Sequence, residues 1–176
     1  TTEGAHHASP ADENGESQGG VKDLCAKRFG TPFYLYDADL IESQVEALRS
    51  VLPESQLYFS LKSNPNPAVA KVIEDSRCRA DLTSVGEIEA AREAGFDLSE
   101  ALYGGPGKDV LELRVAIQEG IRHFSVESEN DLQALNAASE DLDTSVRALI
   151  RINPQEAPKA KLAMSGVASQ FGFEED

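Results

Sequence analysis

Apolar and polar residues follow two alternating patterns along most of this chain. The segment 57–62 alternates apolar with polar or amphipathic residues, which predicts a strand, and 38–52 carries an apolar residue every three or four positions, which predicts a helix. The two patterns take turns down the chain. The predicted strands are 33–37, 57–62, 79–83, 101–103, 123–127 and 146–153, and the predicted helices are 21–29, 38–52, 67–75, 84–95, 109–120 and 129–139.

The spacing of these elements predicts an α/β fold. Strands that alternate with helices about every 20–25 residues are typical of a parallel sheet with crossover helices. A barrel and an open doubly wound sheet both satisfy the pattern. The first strand is not followed by a Gly-x-Gly-x-x-Gly turn, which weakens the dinucleotide-binding alternative. A closed barrel needs eight strands, and counting from residue 57 the pattern supplies fewer.

The first twenty residues differ from the rest in composition. They contain almost no large apolar side chains and are rich in Gly, Glu, Ser and Ala. Such a segment buries too little surface to offset its ordering entropy. We therefore predict a disordered leader over 1–20 and a folded part over 21–176.

Charge and cysteine content narrow the classes of function. Lys and Arg number 16 against 31 Asp and Glu, a net charge of −15, which argues against nucleic acid and anionic membranes as partners. No apolar run approaches the length of a membrane span, and the first residues lack a basic-then-apolar signal pattern. Cys25 and Cys78 are too few and too far apart for a disulfide framework or a metal site. We predict reduced thiols, a cytoplasmic location and no metal.

Lys62 is the leading candidate for chemistry. It ends the predicted strand 57–62, and 63–67 cannot continue that strand because Pro65 and Pro67 have no amide donor. Parallel α/β proteins collect their functional residues at the carboxyl ends of strands. A lysine amine that is partly removed from water becomes a usable nucleophile. A surface lysine that merely ends a strand is the alternative.

The segment around Lys62 resembles the Tyr-Ala-x-Lys-Ala-Asn motif of the alanine-racemase-like pyridoxal-phosphate barrels. It is most similar to the branch that contains diaminopimelate, ornithine and related amino-acid decarboxylases. Further segments resemble this family in the expected order: FGTPFYLYD at 29–37, ADLTSVGEI at 80–88, YGGPGK at 103–108, VES at 126–128, RINP at 151–154 and SQFG at 169–172.

The resemblance implies a particular fold. It is a TIM-type (β/α)8 barrel of the alanine racemase N-terminal type, which this chain would supply only in part. The remainder of the barrel and a C-terminal β domain would lie beyond residue 176. The family's cofactor-stacking His, its phosphate-binding glycine loop and its other substrate residues would lie there too.

The resemblance also implies roles for individual residues. Lys62 would be the catalytic lysine and form the Schiff base with pyridoxal 5′-phosphate. Asp81 and Glu87 would lie beside the cofactor and Lys62, and Arg151 would lie near the cofactor's phenolic oxygen. The residues themselves allow plainer interpretations, in which Ser84 and Glu87 form a helix capping box and Arg151 pairs with a carboxylate at the rim.

The implied reaction is the α-decarboxylation of an amino acid by a homodimeric enzyme. Gln170 stands where many members of the family have Lys, which is similar to the branch acting on biosynthetic or carrier-bound amino acids, so the substrate stays open. We interpret the glycine-rich segment 103–108 as a strand-to-helix turn near the substrate side, and Glu127 as the end of a strand. Neither is predicted to be catalytic.

Three alternatives remain at this stage. The same barrel could carry an amino-acid racemase, although the Ser-Gln-Phe-Gly segment argues against it. It could bind pyridoxal phosphate without turnover, as a regulatory protein. The chain could also be an open α/β binding domain with no cofactor.

Overall fold

The computed structural model describes residues 15–154 and 172–174, with side chains for 20–154, 172 and 173. The chain divides into two compact units, 1–37 and 38–176. In the first, helix α1 spans Gly15–Phe29, and Gly30 follows it at φ +79°. The predicted leader lies mostly outside the described residues, and its boundary stays a prediction. The predicted strand 33–37 is wrong, because an extended segment becomes a strand only by pairing with a neighbour, and residues 33–37 pair with no other segment of 15–154 or 172–174.

The second unit begins with helix α2, which packs beside α3. The helices are α2 (Ala38–Val51), α3 (Pro67–Asp75), α4 (Val85–Ala94), α5 (Val110–Gln118) and α6 (Glu129–Asp141), with short 3-10 turns at Leu61–Ser63 and Leu98–Glu100. The strands are β1 (Tyr58–Ser60), β2 (Arg79–Leu82), β3 (Leu102–Tyr103), β4 (His123–Val126), β5 (Arg147–Ile150), β6 (Ile152–Asn153) and β7 (Phe173–Glu174).

Strands β1 to β5 form one parallel five-stranded sheet in sequence order. A helix follows each of the first four strands, which is the repeated βα unit that the sequence pattern predicted. In the register, Asp81 is opposite Leu102, Leu102 is opposite His123, and His123 is opposite Arg147. The carboxyl ends of the strands therefore meet along one edge of the sheet.

The helices begin at polar residues that satisfy their free backbone N–H groups. Asn66 accepts a hydrogen bond from the backbone N of Ala68 and is followed by Pro67 in the first turn of α3. Ser84, Asp109 and Ser128 cap α4, α5 and α6 in the same way. These local signals explain why the sequence alone placed the starts of these helices closely.

The core lies between the sheet and its crossover helices. Alternate strand residues point to opposite faces of a sheet. One face carries buried apolar side chains: Ala80, Leu82, Tyr103, Phe124 and Val126. On the other face, level with one another, lie Asp81, Leu102 and His123, all half-buried. Asp81 and Leu102 of this second face line a cavity.

The predicted strand 146–153 is not continuous, because the backbone changes partners at Arg151. The backbone N of Arg151 donates to the carbonyl of Val126 at 2.9 Å, which extends the pairing with β4. Its carbonyl instead accepts from the backbone N of Phe173 at 2.8 Å, and β6 pairs with β7. Arg151 is therefore held at the junction of two sheets.

Among the described residues, 15–154 and 172–174, no helix is long and apolar enough to cross a membrane. No group of three or more His, Cys, Asp or Glu side chains in this part of the chain could hold a metal ion.

Candidate active site

A cavity of about 600 Å³ opens at the carboxyl ends of the five strands. This volume lies within the range of ordinary small-molecule sites. Every strand of the sheet, or the turn that follows it, contributes to the walls. The lining residues are Lys62, Asp81, Thr83, Leu102, Gly104, Gly105, Pro106, Gly107, Ser125, Glu127, Leu149, Ile150 and Arg151.

Lys62 lies in the 3-10 turn that directly follows strand β1, and it lines the cavity. The turn Leu61–Ser63 is closed by the backbone N of Asn64, which donates to the carbonyl of Leu61 at 3.0 Å, and Leu61 itself is fully buried. Among the described residues, the Lys62 side chain is exposed. Its partial removal from water therefore stays a prediction.

Asp81 lies on β2 and lines the same cavity. Gly104 directly follows β3, and a Cβ added there would lie 2.9 Å from Oγ of Ser125 and 4.0 Å from Oδ1 of Asp81. Gly104 forms the floor of the cavity. Because it has no side chain, the space between the hydroxyl of Ser125 and the carboxylate of Asp81 stays open. No sequence signal singled out Gly104 or Ser125, because their proximity depends on strand register.

Glu87 lies at the start of α4 and turns back toward the preceding residues. Its carboxylate accepts hydrogen bonds from the backbone N of Thr83 at 2.9 Å and from the hydroxyls of Thr83 and Ser84, each at 3.0 Å. The backbone N of Glu87 in turn donates to Oγ of Ser84 at 3.3 Å. This is a variant of the capping box, in which the Glu87 carboxylate bonds the backbone N of Thr83 and not that of the N-cap Ser84. Glu87 does not line the cavity itself, but Thr83 does.

Arg151 lines the opposite end of the cavity and pairs with Glu127. Nη1 of Arg151 donates to Oε2 of Glu127 at 3.0 Å, and the Glu127 side chain is only 5% exposed. From the sequence, a carboxylate partner for this arginine was the plainer alternative, and Glu127 was interpreted as a strand end. The signal that could have found it is its position two residues after Ser125, on the same face at the end of β4.

Gly172 approaches the backbone of Arg151 closely. It has φ +91°, and a Cβ there would lie 3.0 Å from the carbonyl oxygen of Arg151 and 3.1 Å from the backbone N of Asn153. Both the conformation and the crowding favour glycine. This glycine ends the SQFG segment, whose Gln170 lies outside the described residues.

Comparison with known proteins identifies the family to which this chain belongs. The family model described as "Pyridoxal-dependent decarboxylase, pyridoxal binding domain" matches residues 38–176, which begin at α2. The chain belongs to this family. The predicted family and the parallel α/β fold of its barrel are thereby confirmed, and so is pyridoxal phosphate as the cofactor of the family.

The relatives are named amino-acid decarboxylases. The chain is 40% identical to the L-glutamyl-(BtrI acyl-carrier protein) decarboxylase of Niallia circulans, over 85% of this chain and 35% of that protein. It is 35% identical to the diaminopimelate decarboxylase of Aquifex aeolicus, over 88% of this chain and 37% of that protein. The chain thus spans little more than a third of the length of these relatives.

A solved structure of a relative has the same fold. The diaminopimelate decarboxylase of Helicobacter pylori complexed with L-lysine has a TM-score of 0.76 at 28% identity, over 86% of this chain and 39% of that one. The five-stranded parallel sheet is therefore the barrel portion that this family shares.

The residues around the cavity fit a pyridoxal group. A primary amine, a carboxylate and a guanidinium line one cavity: Lys62, Asp81 and Arg151. The floor at Gly104 is kept clear of a side chain that would fill the cavity at that point. This donor set is suited to a polar aromatic aldehyde that must be held by an amine and by charged groups around its ring.

Proposed function

We propose that this chain is the cofactor-binding part of a pyridoxal-phosphate-dependent amino-acid decarboxylase, with Lys62 as the residue that holds the cofactor. The observation that carries the proposal is the presence of Lys62, Asp81 and Arg151 around one cavity at the carboxyl ends of a parallel sheet. The membership of the chain in a pyridoxal-binding family supports it.

Each residue has a distinct part in this proposal. When bound, the pyridoxal group supplies the electron sink for the carbanion left by loss of carbon dioxide. Lys62 binds the cofactor through Nζ and can afterwards return a proton from that nitrogen. Asp81 would place a carboxylate in the same cavity as Lys62. Glu87 supports Thr83 and the end of β2 by its three hydrogen bonds.

Arg151 supplies the positive charge at the far end of the cavity. Its pairing with the buried carboxylate of Glu127 fixes the direction of one edge of the guanidinium, and the close approach of Gly172 fixes the backbone beneath it. A planar guanidinium held in this way keeps a fixed orientation at this end of the cavity, where it would place a positive charge near the cofactor.

The proposed substrate is the α-amino acid unit of a free or carrier-bound amino acid. The relatives include decarboxylases named for a glutamyl carrier protein and for diaminopimelate, and these names favour decarboxylation over the predicted alternative of racemisation. The homodimer and the further elements beyond residue 176 stay predictions of the family resemblance, and the cytoplasmic location stays a prediction of the cysteine content.

The decisive experiment is reductive trapping. The full-length protein would be mixed with pyridoxal phosphate, reduced with borohydride and digested, and the modified peptide identified by mass spectrometry. We expect the label on Lys62, no label there in Lys62→Ala, and an unchanged result in Lys71→Met, which alters an exposed lysine paired with Glu74 and Asp75. Equal labelling of many exposed lysines, with none preferred, would contradict the proposal.

A second measurement separates the possible reactions. Carbon dioxide release would be followed with diaminopimelate, lysine, ornithine and a glutamyl thioester on an acyl-carrier protein. Release from one of these supports decarboxylation and identifies the substrate class. Loss of optical activity without carbon dioxide would support the racemase alternative instead.

A further inference from the structure

A buried lysine lies behind the cavity and has no role in the function proposed above. The side chain of Lys108 is 2% exposed, and its Nζ lies 3.1 Å from Oδ2 of Asp131, whose side chain is 8% exposed. Lys108 also donates a hydrogen bond to the carbonyl oxygen of Gly105. Lysine is almost never buried unless it is paired. This pair therefore joins the glycine-rich loop 104–107 to the first turn of α6.

The same carboxylate reaches the candidate active site through Glu127. Oδ2 of Asp131 accepts a hydrogen bond from the backbone N of Glu127 at 3.1 Å. The carboxylate of Glu127 accepts from Arg151 at 3.0 Å. A continuous series of polar contacts thus runs from Lys108 to Arg151, although neither Lys108 nor Asp131 lines the cavity.

The charges along this series balance. The two buried carboxylates of Asp131 and Glu127 belong to neighbouring residues in space, and each has one cation, Lys108 or Arg151. Removing Lys108 alone would leave a buried carboxylate without its partner, which is strongly unfavourable. Asp131 would then lose its fixed orientation, and with it the acceptor for the backbone of Glu127.

The conformation of the glycine-rich loop 104–107 also depends on Lys108. Gly105 has φ +100°, a conformation that only glycine adopts readily, and the loop's residues line the cavity. The bond from Lys108 to the carbonyl of Gly105 holds that conformation in place. The ion pair therefore supports two walls of the cavity at once.

We propose that Lys108 and Asp131 are positioning residues that orient Arg151 and the glycine-rich loop for binding of pyridoxal phosphate. This inference rests on the proposed function, since it concerns the same cavity. Lys108 acts through Glu127 and Gly105, and it does not itself touch the cofactor.

The test replaces both charges together in the full-length protein. Exchanging a buried ion pair for apolar side chains often preserves stability, so K108M/D131L removes the contacts without leaving one buried charge alone. We expect its cofactor-free melting temperature to stay near that of the wild type, while pyridoxal phosphate binds about tenfold more weakly in an absorbance titration. Lys71→Met should bind as the wild type does.

A second comparison tests whether the pair acts through Arg151. In the background of R151M, the K108M/D131L exchange should weaken cofactor binding less than it does in the wild type. If K108M/D131L does not fold, D131N provides the test, because the amide keeps the shape but not the charge, and we expect weaker cofactor binding.

The outcomes are distinguishable. Wild-type affinity in folded K108M/D131L, or in D131N, would overturn the inference, as would equal losses with and without R151M. If the wild-type protein itself bound no pyridoxal phosphate, the proposed function would fail and this inference with it. Binding by the wild type and equally by the folded variant would reject only the positioning role.

Discussion

The two faces of the central sheet are built from the same strands but meet different physical demands. On one face, Tyr103 and Phe124 are fully buried against the helices, with ring centroids 6.0 Å apart. On the other, Asp81 and Ser125 are half-buried and line the cavity. Adjacent residues of one strand therefore differ completely in environment. The apolar face carries stability, and the polar face leaves room for chemistry.

Phe124→Ala, on the apolar face, should cause the largest loss in the free energy of unfolding. Phe124 is fully buried, and truncating such a ring removes apolar contacts and leaves a void, which costs about 3–5 kcal/mol. The matched change on the other face is Leu149→Ala, where the side chain is 48% exposed and we expect a loss below about 1 kcal/mol. Urea unfolding followed by circular dichroism measures both, and equal losses would contradict the difference between the faces.

Gly104→Ala tests the floor of the cavity. The new methyl group would lie 2.9 Å from Oγ of Ser125, so that side chain must move, and we expect destabilisation by about 1–2 kcal/mol. The double variant G104A/S125A removes the crowding oxygen and leaves the Cβ of residue 125 at an ordinary 3.8 Å. It should recover most of the lost free energy of unfolding. No recovery would mean that the cost arises elsewhere.

Tyr103→Phe should increase the free energy of unfolding, by less than Phe124→Ala and Gly104→Ala reduce it. The hydroxyl of Tyr103 is buried, and it has no hydrogen-bond partner among the residues of 15–154 and 172–174. Its removal should therefore raise the free energy of unfolding by up to about 1 kcal/mol at neutral pH. A loss of stability in thermal melts would indicate that the hydroxyl is satisfied.

The same variant has a pH signature. Burial, together with the carboxylates of Glu112 and Glu87, raises the pKa of Tyr103 above its ordinary value of 10. The unfolded chain releases this proton from about pH 10 upward while the folded chain keeps it, so stability falls as the pH rises through that range. Tyr103→Phe should lack this part of the alkaline loss, which melts between pH 9 and pH 11 would measure.

Asp81→Asn should change the free energy of unfolding least of these variants, but it should weaken the binding of pyridoxal phosphate. The residue is half-buried on the open face, and we expect the free energy of unfolding to change by less than about 0.5 kcal/mol. Loss of its charge should nevertheless weaken pyridoxal phosphate binding about tenfold, as expected for a charge-assisted contact. An absorbance titration checks this. Destabilisation without weaker binding would assign Asp81 to the scaffold.

The sequence by itself determined most of the local structure of this protein and the position of its leading candidate residue, Lys62. Asn66, Ser84, Asp109 and Ser128 mark the starts of four helices, because a cap acts on backbone groups only two or three residues away. The turn after β1 put Lys62 at the edge of the sheet for an equally local reason. The α/β alternation followed from periodicity alone.

Only the tertiary structure decided which distant residues meet. Glu127 and Arg151 pair, and Lys108 and Asp131 pair, because neighbouring parallel strands and their helices place residues more than twenty positions apart side by side. The break of the predicted strand at Arg151 has the same origin. Pairing between strands and burial by neighbouring segments depend on register and packing, which no pattern of a few residues contains.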